Sequence, residues 1–447
     1  MKHHFVTACL CVTLALFSSG ISLRAESDAP PFFAGTAKVE ITPSAESAVD
    51  LLGQPLRLRD PLFARVLVLK DEKVSIAIVS VDLIVFASQK VIAEAKSKWG
   101  VDHVILSATH THAGMAPRGM IIKPPAAPDW TRSGKAPAET VDWPGLSDDP
   151  WYAETETKIV AAIGQAIQNR FPARIVVGKG PFESAYMAHN RRLVRDGRVS
   201  ALWENPDRRP TQPIAPTVGV IRIEDLSGKP RAFAVHYACH PVALMGTGVV
   251  SRDFPGAMVD FVEQELGEDC LGMFLQGAQG DLDPYDLHNL RGENRFNIAR
   301  QSGISLAKGA LRLAKELKGS GQSPKLQVKE SLLTIPNRSG NKSTDVGLLT
   351  VVINRDLAFV AIPGEPFIQH QLDLTEKSPI TNTFILGLAY HGQGTPFVVY
   401  IPTVQAVKEG GYGATECSFL AADAGEKIVA EGLISIQQLT KAKEQIR

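Results

Sequence analysis

The sequence predicts a single large α/β domain with mixed β-sheets flanked by helices. Three observations carry this. Apolar runs with strand character alternate with segments of helical periodicity along the whole chain. After residue 25 no stretch has linker composition, and there is no short-period repeat. Hydrophobic residues make up 44% of the 447, enough for a large core. The length exceeds one average domain but does not count domains.

The N-terminus reads separately. Met1-Lys2-His3-His4 is a basic start, Phe5 to Phe17 an apolar run, and Ser18 to Ala25 a set of small residues. This is the pattern of a secretory signal spanning 1–25, with Ala25 as the last residue removed and 26–447 as the mature domain. Val6-Thr7-Ala8-Cys9 superficially suits lipoprotein processing, but too little apolar sequence precedes Cys9. No other stretch is long enough to span a bilayer. The expected destination is therefore export: periplasm, cell surface or medium. Lys+Arg and Asp+Glu both number 47, so nothing in the charge balance suggests a nucleic-acid groove or an anionic membrane surface as the main partner. Cys239, Cys270 and Cys417 remain in the mature chain, at no metal-like spacing. They read as small buried hydrophobes, or else as one disulfide and one free thiol.

Ala34 to Ile41, Leu62 to Leu69 and Val74 to Val81 read as strands, the last two joined by a turn at Asp71-Glu72-Lys73. Asp82, at the end of the third, reads as a cap of the next segment or as a support to a metal ligand. Gln89 to Trp99 is helical and Gly100 stops it. His103 to Ala108 is a strand. A Pro-rich insertion, 114–150, follows and is expected to wall or cover a cleft. Trp151 to Phe171 repeats apolar residues at helical spacing. Arg174 to Gly178 is a short strand, and Asn190-Arg191-Arg192 a polar bend. Val218 to Ile223 and Ala232 to Ala238 are strands, Phe254 to Leu266 a helix capped by Ser251-Arg252-Asp253, and Leu271 to Leu275 a buried strand. Asn297 to Leu317 is a long amphipathic helix. Leu326 to Ile335, Leu348 to Ile353, Ala358 to Ile362 and Phe384 to Leu388 are strands. Pro363-Gly364-Glu365-Pro366 opens a helix to about Leu374, and a final helix runs from about Phe419 to Glu444.

The chemistry concentrates in Ser107-Ala108-Thr109-His110-Thr111-His112-Ala113-Gly114. Two histidines two apart at a strand end point the same way, so one cleft can receive both rings. Neutral imidazole is a common zinc ligand, and a catalytic zinc keeps three protein ligands and an open position. The pair alone is equally consistent with two hydrogen-bonded histidines. The other candidate residues also fall where strands end, as ligand sites on such sheets do.

Six motifs in order across nearly the whole mature chain resemble the catalytic domain of the neutral ceramidase family, zinc amidases that cut the N-acyl bond of ceramide. Residues 107–114 resemble the family's T-H-T-H-S-G, and Asn190-Arg191-Arg192 its N-R-S. Tyr237-Ala238-Cys239-His240-Pro241 with Ser251-Arg252-Asp253 resembles F-A-x-H and the following S-D-N. Gly280-Asp281-Leu282-Asp283-Pro284 resembles G-D-x-S-P, and Pro363-Gly364-Glu365 resembles P-G-E-F. Tyr400-Ile401-Pro402-Thr403 and Gly411-Tyr412 resemble Y-x-T-x and the later tyrosine.

The resemblance implies a ceramidase-like fold and a Zn2+ held by His110, His240, Glu365 and Tyr400. It places His112, Arg191 and Tyr412 around the scissile carbonyl. His, His and Glu are hydrolytic zinc ligands, zinc brings water toward ionisation at neutral pH, and Arg191, Tyr412 or His112 would steady the oxyanion. His112 would also pass a proton to the leaving group. Without the resemblance, Glu365 reads as a first-turn helix carboxylate, the tyrosines as core-edge aromatics, and Arg191 and Arg192 as solvated charge. His236 competes with His240 for one ligand place; the proline after His240 and its distance to Asp253 favour His240, with His236 as its support. His288, His370 and His391 match no motif and read as structural.

Two departures stand out. Asp283 occupies the place of the family's serine, so it is expected to act as general base or extra ligand rather than as nucleophile. With Asp281 and Asp286 it also forms an acidic cluster that would suit a second cation. The sequence runs only a short way past the last motif, so no counterpart of the family's C-terminal immunoglobulin-like domain is expected in it. The sequence thus predicts an exported zinc-dependent hydrolase of an amide bond acting on a small or lipid-like N-acyl substrate by metal-activated water. A zinc esterase or cell-wall amidase on the same site, and a secreted non-catalytic binding module with a decayed site, are the rival readings.

Overall fold

The computed structural model describes residues 1, 32–50, 53–115, 149–182, 187–285 and 293–441. The signal expected over 1–25, except Met1, and the insertion from 116 to 148 lie outside the described residues, as do Asp286 and His288. No helix among the described residues is long and apolar enough to cross a membrane.

Nine strands form the larger sheet: β1 (Phe33–Glu40), β2 (Phe63–Lys70), β3 (Ser75–Val81), β4 (His103–Ala108), β5 (Phe171–Pro181), β6 (Thr217–Asp225), β7 (Pro230–Tyr237), β8 (Leu271–Gln276) and, after the second sheet, β13 (Ala389–Tyr390). Their spatial order is β8-β7-β6-β5-β1-β2-β3-β4-β13. The β3–β4 and β7–β8 pairs are parallel and the others antiparallel, so the sheet is mixed as predicted. A second sheet, in the order β9-β10-β11-β12, comprises β9 (Leu326–Pro336), β10 (Ser343–Ile353), β11 (Leu357–Ala361) and β12 (Asn382–Leu386).

The two sheets stack. Leu67, Ile78, Ile105, Ile221 and Met273 of the first share one core with Leu349, Val351, Phe359 and Leu386 of the second. Helices α1 (Gln89–Trp99), α2 (Pro150–Gln168), α3 (Asp253–Leu266) and α4 (Glu293–Glu316) pack on the larger sheet, and α5 (Ile368–Lys377) and α7 (Ala424–Lys441) on the smaller; a short α6 (Val404–Glu409) lies between them in sequence. Strands covered on both faces explain why β3 is buried at every position rather than alternating.

Helix α1 keeps its predicted bounds because both stop signals are present. Ser88 accepts a hydrogen bond from Val91 N, and Gly100 closes the helix at φ 66° with its N–H on the carbonyls of Ala95 and Lys96. Elsewhere tertiary pairing overrides periodicity. Helix α2 ends at Gln168, since Pro172 disfavours helical geometry at Phe171, which starts β5. The last helix begins at Ala424, not Phe419, because Leu420 bridges Asn337 and Ala421 N bonds Pro336 O. The helix expected from Pro363 begins at Ile368, because Glu365–Pro366 instead pair with Tyr400–Ile401. Asp82 neither caps a helix nor supports a metal ligand: it accepts from Arg65 Nη1 at 2.7 Å and from Phe63 N at 3.0 Å. Cys239, Cys270 and Cys417 are buried free thiols, the plain reading of their spacing.

His236 also departs from expectation. The strand ends at Tyr237, so the period of two does not carry through to His240; His236 turns into the inter-sheet core beside Phe384 and hydrogen-bonds Ile385 O at 2.7 Å. Burial holds its pKa down at about 4, against an ordinary 6.5. Between those values the unfolded chain binds the extra proton and the folded one does not, so stability falls as pH drops from about 6.5 to 4. The shift corresponds to about 3 kcal/mol. Buried Asp253, raised to about 6 from 3.8, works the opposite way over the same range. Comparing wild type with His236→Gln cancels that shared contribution. The wild type's unfolding free energy should fall by about 3 kcal/mol relative to the variant between pH 7.5 and pH 4; parallel urea-unfolding profiles would refute the assignment.

Candidate metal centre

Five chain segments meet at the C-terminal ends of β4, β7, β8 and β11 and at the Tyr400–Ile401 strand. His110 follows β4, His240 follows β7, Asp283 follows β8, and Glu365 follows β11. The larger sheet curls enough for β8, at one end of its order, to touch β3 and β4 near the other, which brings the histidines together.

His110 Nδ1 bonds Ile84 O at 2.6 Å, and His240 Nδ1 bonds Leu282 O at 3.0 Å. A carbonyl only accepts, so both Nδ1 atoms carry hydrogen, and in the neutral rings both Nε2 atoms are bare lone pairs. Those lone pairs turn on one carboxylate oxygen. Glu365 Oε2 lies 3.0 Å from His240 Nε2 and 3.3 Å from His110 Nε2. His112 Nε2 is 3.2 Å from His110 Nε2, and the Tyr400 hydroxyl is 3.5 Å from His240 Nε2. The nitrogens of His110, His112 and His240 form a metal-capable group, all within 4.8 Å of one another. Acceptors facing acceptors repel unless protons or a cation sit among them, and imidazole with carboxylate is a donor set that could hold a divalent metal ion.

The surroundings tune these groups. Burial works against ionised Glu365; protonation of His110 or His240 turns either ring into a donor and holds its carboxyl well below the usual range. Burial, with His110 and His240 beside it, holds His112 well below 6.5, so the ring is neutral at pH 7. Burial, then Glu365 and Tyr412, push the Tyr400 hydroxyl well above the phenol range. One ligand position and one neighbour of a ligand sit on strained backbone: His110 at φ 70° and β-branched Val399, just before Tyr400, at φ 57°. Val399 O accepts from Glu365 N at 2.8 Å, which ties that strain to the carboxylate's placement.

Asn190-Arg191-Arg192 is buried rather than a solvated bend. Arg191 donates to Asp283 Oδ1 at 2.9 Å and to Gly280 O, and its guanidinium lies 4.9 Å from the Tyr412 ring, 5.3 Å from Tyr400 and 5.6 Å from Trp203. Burial disfavours that cation, yet Asp283 and the two phenols hold it firmly protonated. Asp283 is thus engaged in an ion pair on the Nδ1 edge of His240, 3.6 Å from that atom. This place does not suit the general base or extra ligand expected of it. Asp281 accepts from Ile368 N and Asn190 Nδ2, and Asp286, the third member of the expected acidic cluster, lies outside the described residues. The carbonyls of Ile84 and Leu282 had no sequence signal, being backbone atoms. Trp203, edge-on to Tyr412 at 4.9 Å, was also missed; its only cue is an aromatic downstream of Arg191.

No protein-family model matches the chain, and no curated protein matches it in sequence. Solved structures do. The crystal structure of neutral ceramidase from Pseudomonas aeruginosa aligns with a TM-score of 0.69 at 15% identity, covering 94% of this chain and 75% of that one. A structure titled as ceramidase complexed with C2 aligns with a TM-score of 0.68 at 15% identity, covering 93% and 76%. At that identity the likeness speaks to architecture. Over nearly its whole length, then, this chain has a neutral ceramidase-like fold.

Proposed function

We propose that the chain is an exported zinc-dependent hydrolase of an amide bond, with a small or lipid-like N-acyl substrate. The observation that carries the reading is the convergence of His110 and His240 Nε2 on Glu365 Oε2, with His112 Nε2 3.2 Å from His110 Nε2. His110, His240, Glu365 and Tyr400 would hold the ion. Zinc in such a site supplies Lewis acidity and brings water toward ionisation at neutral pH.

The remaining work falls to the chain's own side chains. His112 is the least buried of the three histidines and is neutral at pH 7, so its ring can take a proton and return it to the departing nitrogen. The Tyr412 hydroxyl, kept protonated by burial, is a donor for the developing oxyanion. Arg191 spends its Nη atoms on Asp283 and Gly280, so it acts from behind, its positive field bearing on both tyrosine rings.

The test is zinc titration of the metal-free mature protein, followed by a panel of N-acyl amides and matched esters. One zinc per chain should bind. At free zinc about 1,000 times Kd, the folded state should gain about 4 kcal/mol, read as a rise in Tm. Amide turnover that needs zinc is the expected result. Ester turnover alone would favour the esterase reading, and no zinc uptake would favour a binding module.

A further inference from the structure

We infer that Gln276 is a positioning residue that fixes the separation of the two metal-ligand loops. It is the last residue of β8 and is fully buried. Its single carboxamide nitrogen donates to Thr109 O at 3.2 Å and to Cys239 O at 3.1 Å. Those carbonyls belong to the residues immediately before His110 and His240. One planar group with two N–H donors therefore clamps together the exits of β4 and β7, which are far apart in the strand order. This inference rests on the zinc reading and adds to it a residue that touches no metal.

The clamp has the properties required of a support. Gln276 is held in turn from both sides: it pairs with Tyr237 in the parallel register of β7 and β8, and its own carbonyl accepts from Gly387 N at 3.0 Å. Each histidine ring is already fixed in rotation by its Nδ1 bond. What those bonds leave open is the distance between the two loops, and Gln276 is the side chain that spans it. Its Oε1 has no hydrogen-bond partner among the described residues, nor has the neighbouring Thr109 Oγ1, so the amide is oriented by its nitrogen alone. A residue selected only to fill space would carry no such unsatisfied oxygen.

The plain alternative is that Gln276 merely satisfies two buried carbonyls, with no bearing on metal. Zinc affinity separates the two. Gln276→Met keeps the length and removes both donors; Gln276→Glu keeps the shape and replaces the nitrogen by oxygen. Each should weaken zinc binding by about 10- to 100-fold in a chelator competition, the range seen for residues that orient metal ligands. The control is Gln371→Met. Gln371 Oε1 accepts from Ala278 N at 3.0 Å in the same region, but reaches neither histidine loop. It should lower Tm and leave the zinc Kd within twofold. If Gln276→Met does not fold, Gln276→Asn serves, since one methylene less prevents contact with both carbonyls; the same loss is expected. Wild-type Kd in a folded Gln276 variant, an equal loss in Gln371→Met, or failure of every Gln276 variant to fold would overturn the positioning role while leaving the zinc reading intact. Absence of zinc uptake by the wild type would overturn both.

Discussion

Glu365→Gln is expected to leave the metal-free protein at least as stable as wild type while weakening zinc binding by more than about 100-fold. The two halves of this result come from one geometry. In the metal-free chain, Glu365 Oε2 faces the Nε2 atoms of His240 at 3.0 Å and His110 at 3.3 Å, and all three are acceptors. A carboxamide in the same place offers N–H donors to those lone pairs, turning repulsion into hydrogen bonds. It also removes the anion that a zinc ion would bind directly, and direct ligation outweighs the 10- to 100-fold effects of outer supports. Gain or constancy in Tm without zinc, together with loss of the zinc-induced rise, marks a residue selected for the metal at the expense of the empty fold. His110→Ala should lose zinc as well, without the compensating stability. Full zinc stoichiometry in either variant, with affinity within tenfold of wild type, would remove that residue from the ligand set.

The sequence made the histidines legible because their spacing is local. The H-x-H was readable as a pair and β4 has its predicted bounds, but the strand ends at Ala108 and His110 sits at φ 70°, so the two rings meet through a turn rather than by the period of two. Glu365 was not readable in that way. Pro-Gly-Glu-Pro looks like a helix start, and only the pairing of Glu365–Pro366 with Tyr400–Ile401, more than thirty residues on, turns it into a strand end aimed at the histidines. Resemblance found it where local rules pointed elsewhere. His236 shows the converse limit: counting in twos from His240 assumes a strand that in fact stops at Tyr237. The stacking of the two sheets was invisible for a physical reason. A strand buried on both faces gives the same apolar run whether a helix or another sheet covers it. The residues that fix ring orientation, Ile84 and Leu282, act through backbone carbonyls and carry no side-chain signal at all.

Arg191 and Asp283 should behave as one unit for stability and as separate residues for turnover. Both are buried, and they form an ion pair with Nη1 to Oδ1 at 2.9 Å. Arg191→Met leaves the Asp283 carboxylate buried without its partner, and Asp283→Leu leaves the guanidinium so; each single change should destabilise by about 3–5 kcal/mol. The double variant, apolar at both positions, should recover most of that loss, giving a large coupling energy in a double-mutant cycle. Turnover should not recover with it. The positive field behind Tyr400 and Tyr412 is absent from both Arg191 variants, and removal of an oxyanion-stabilising group lowers kcat by about 100- to 1,000-fold. Asp283→Ser, which places there the serine of the motif that this segment resembles, isolates the other half. If Asp283 serves only to neutralise Arg191, the variant should lose stability while retaining most of its zinc affinity and of its kcat at temperatures where it is folded. A kcat in Asp283→Ser as low as in Arg191→Met, with zinc still bound, would instead give the carboxylate a direct part in proton transfer and overturn its assignment to the ion pair.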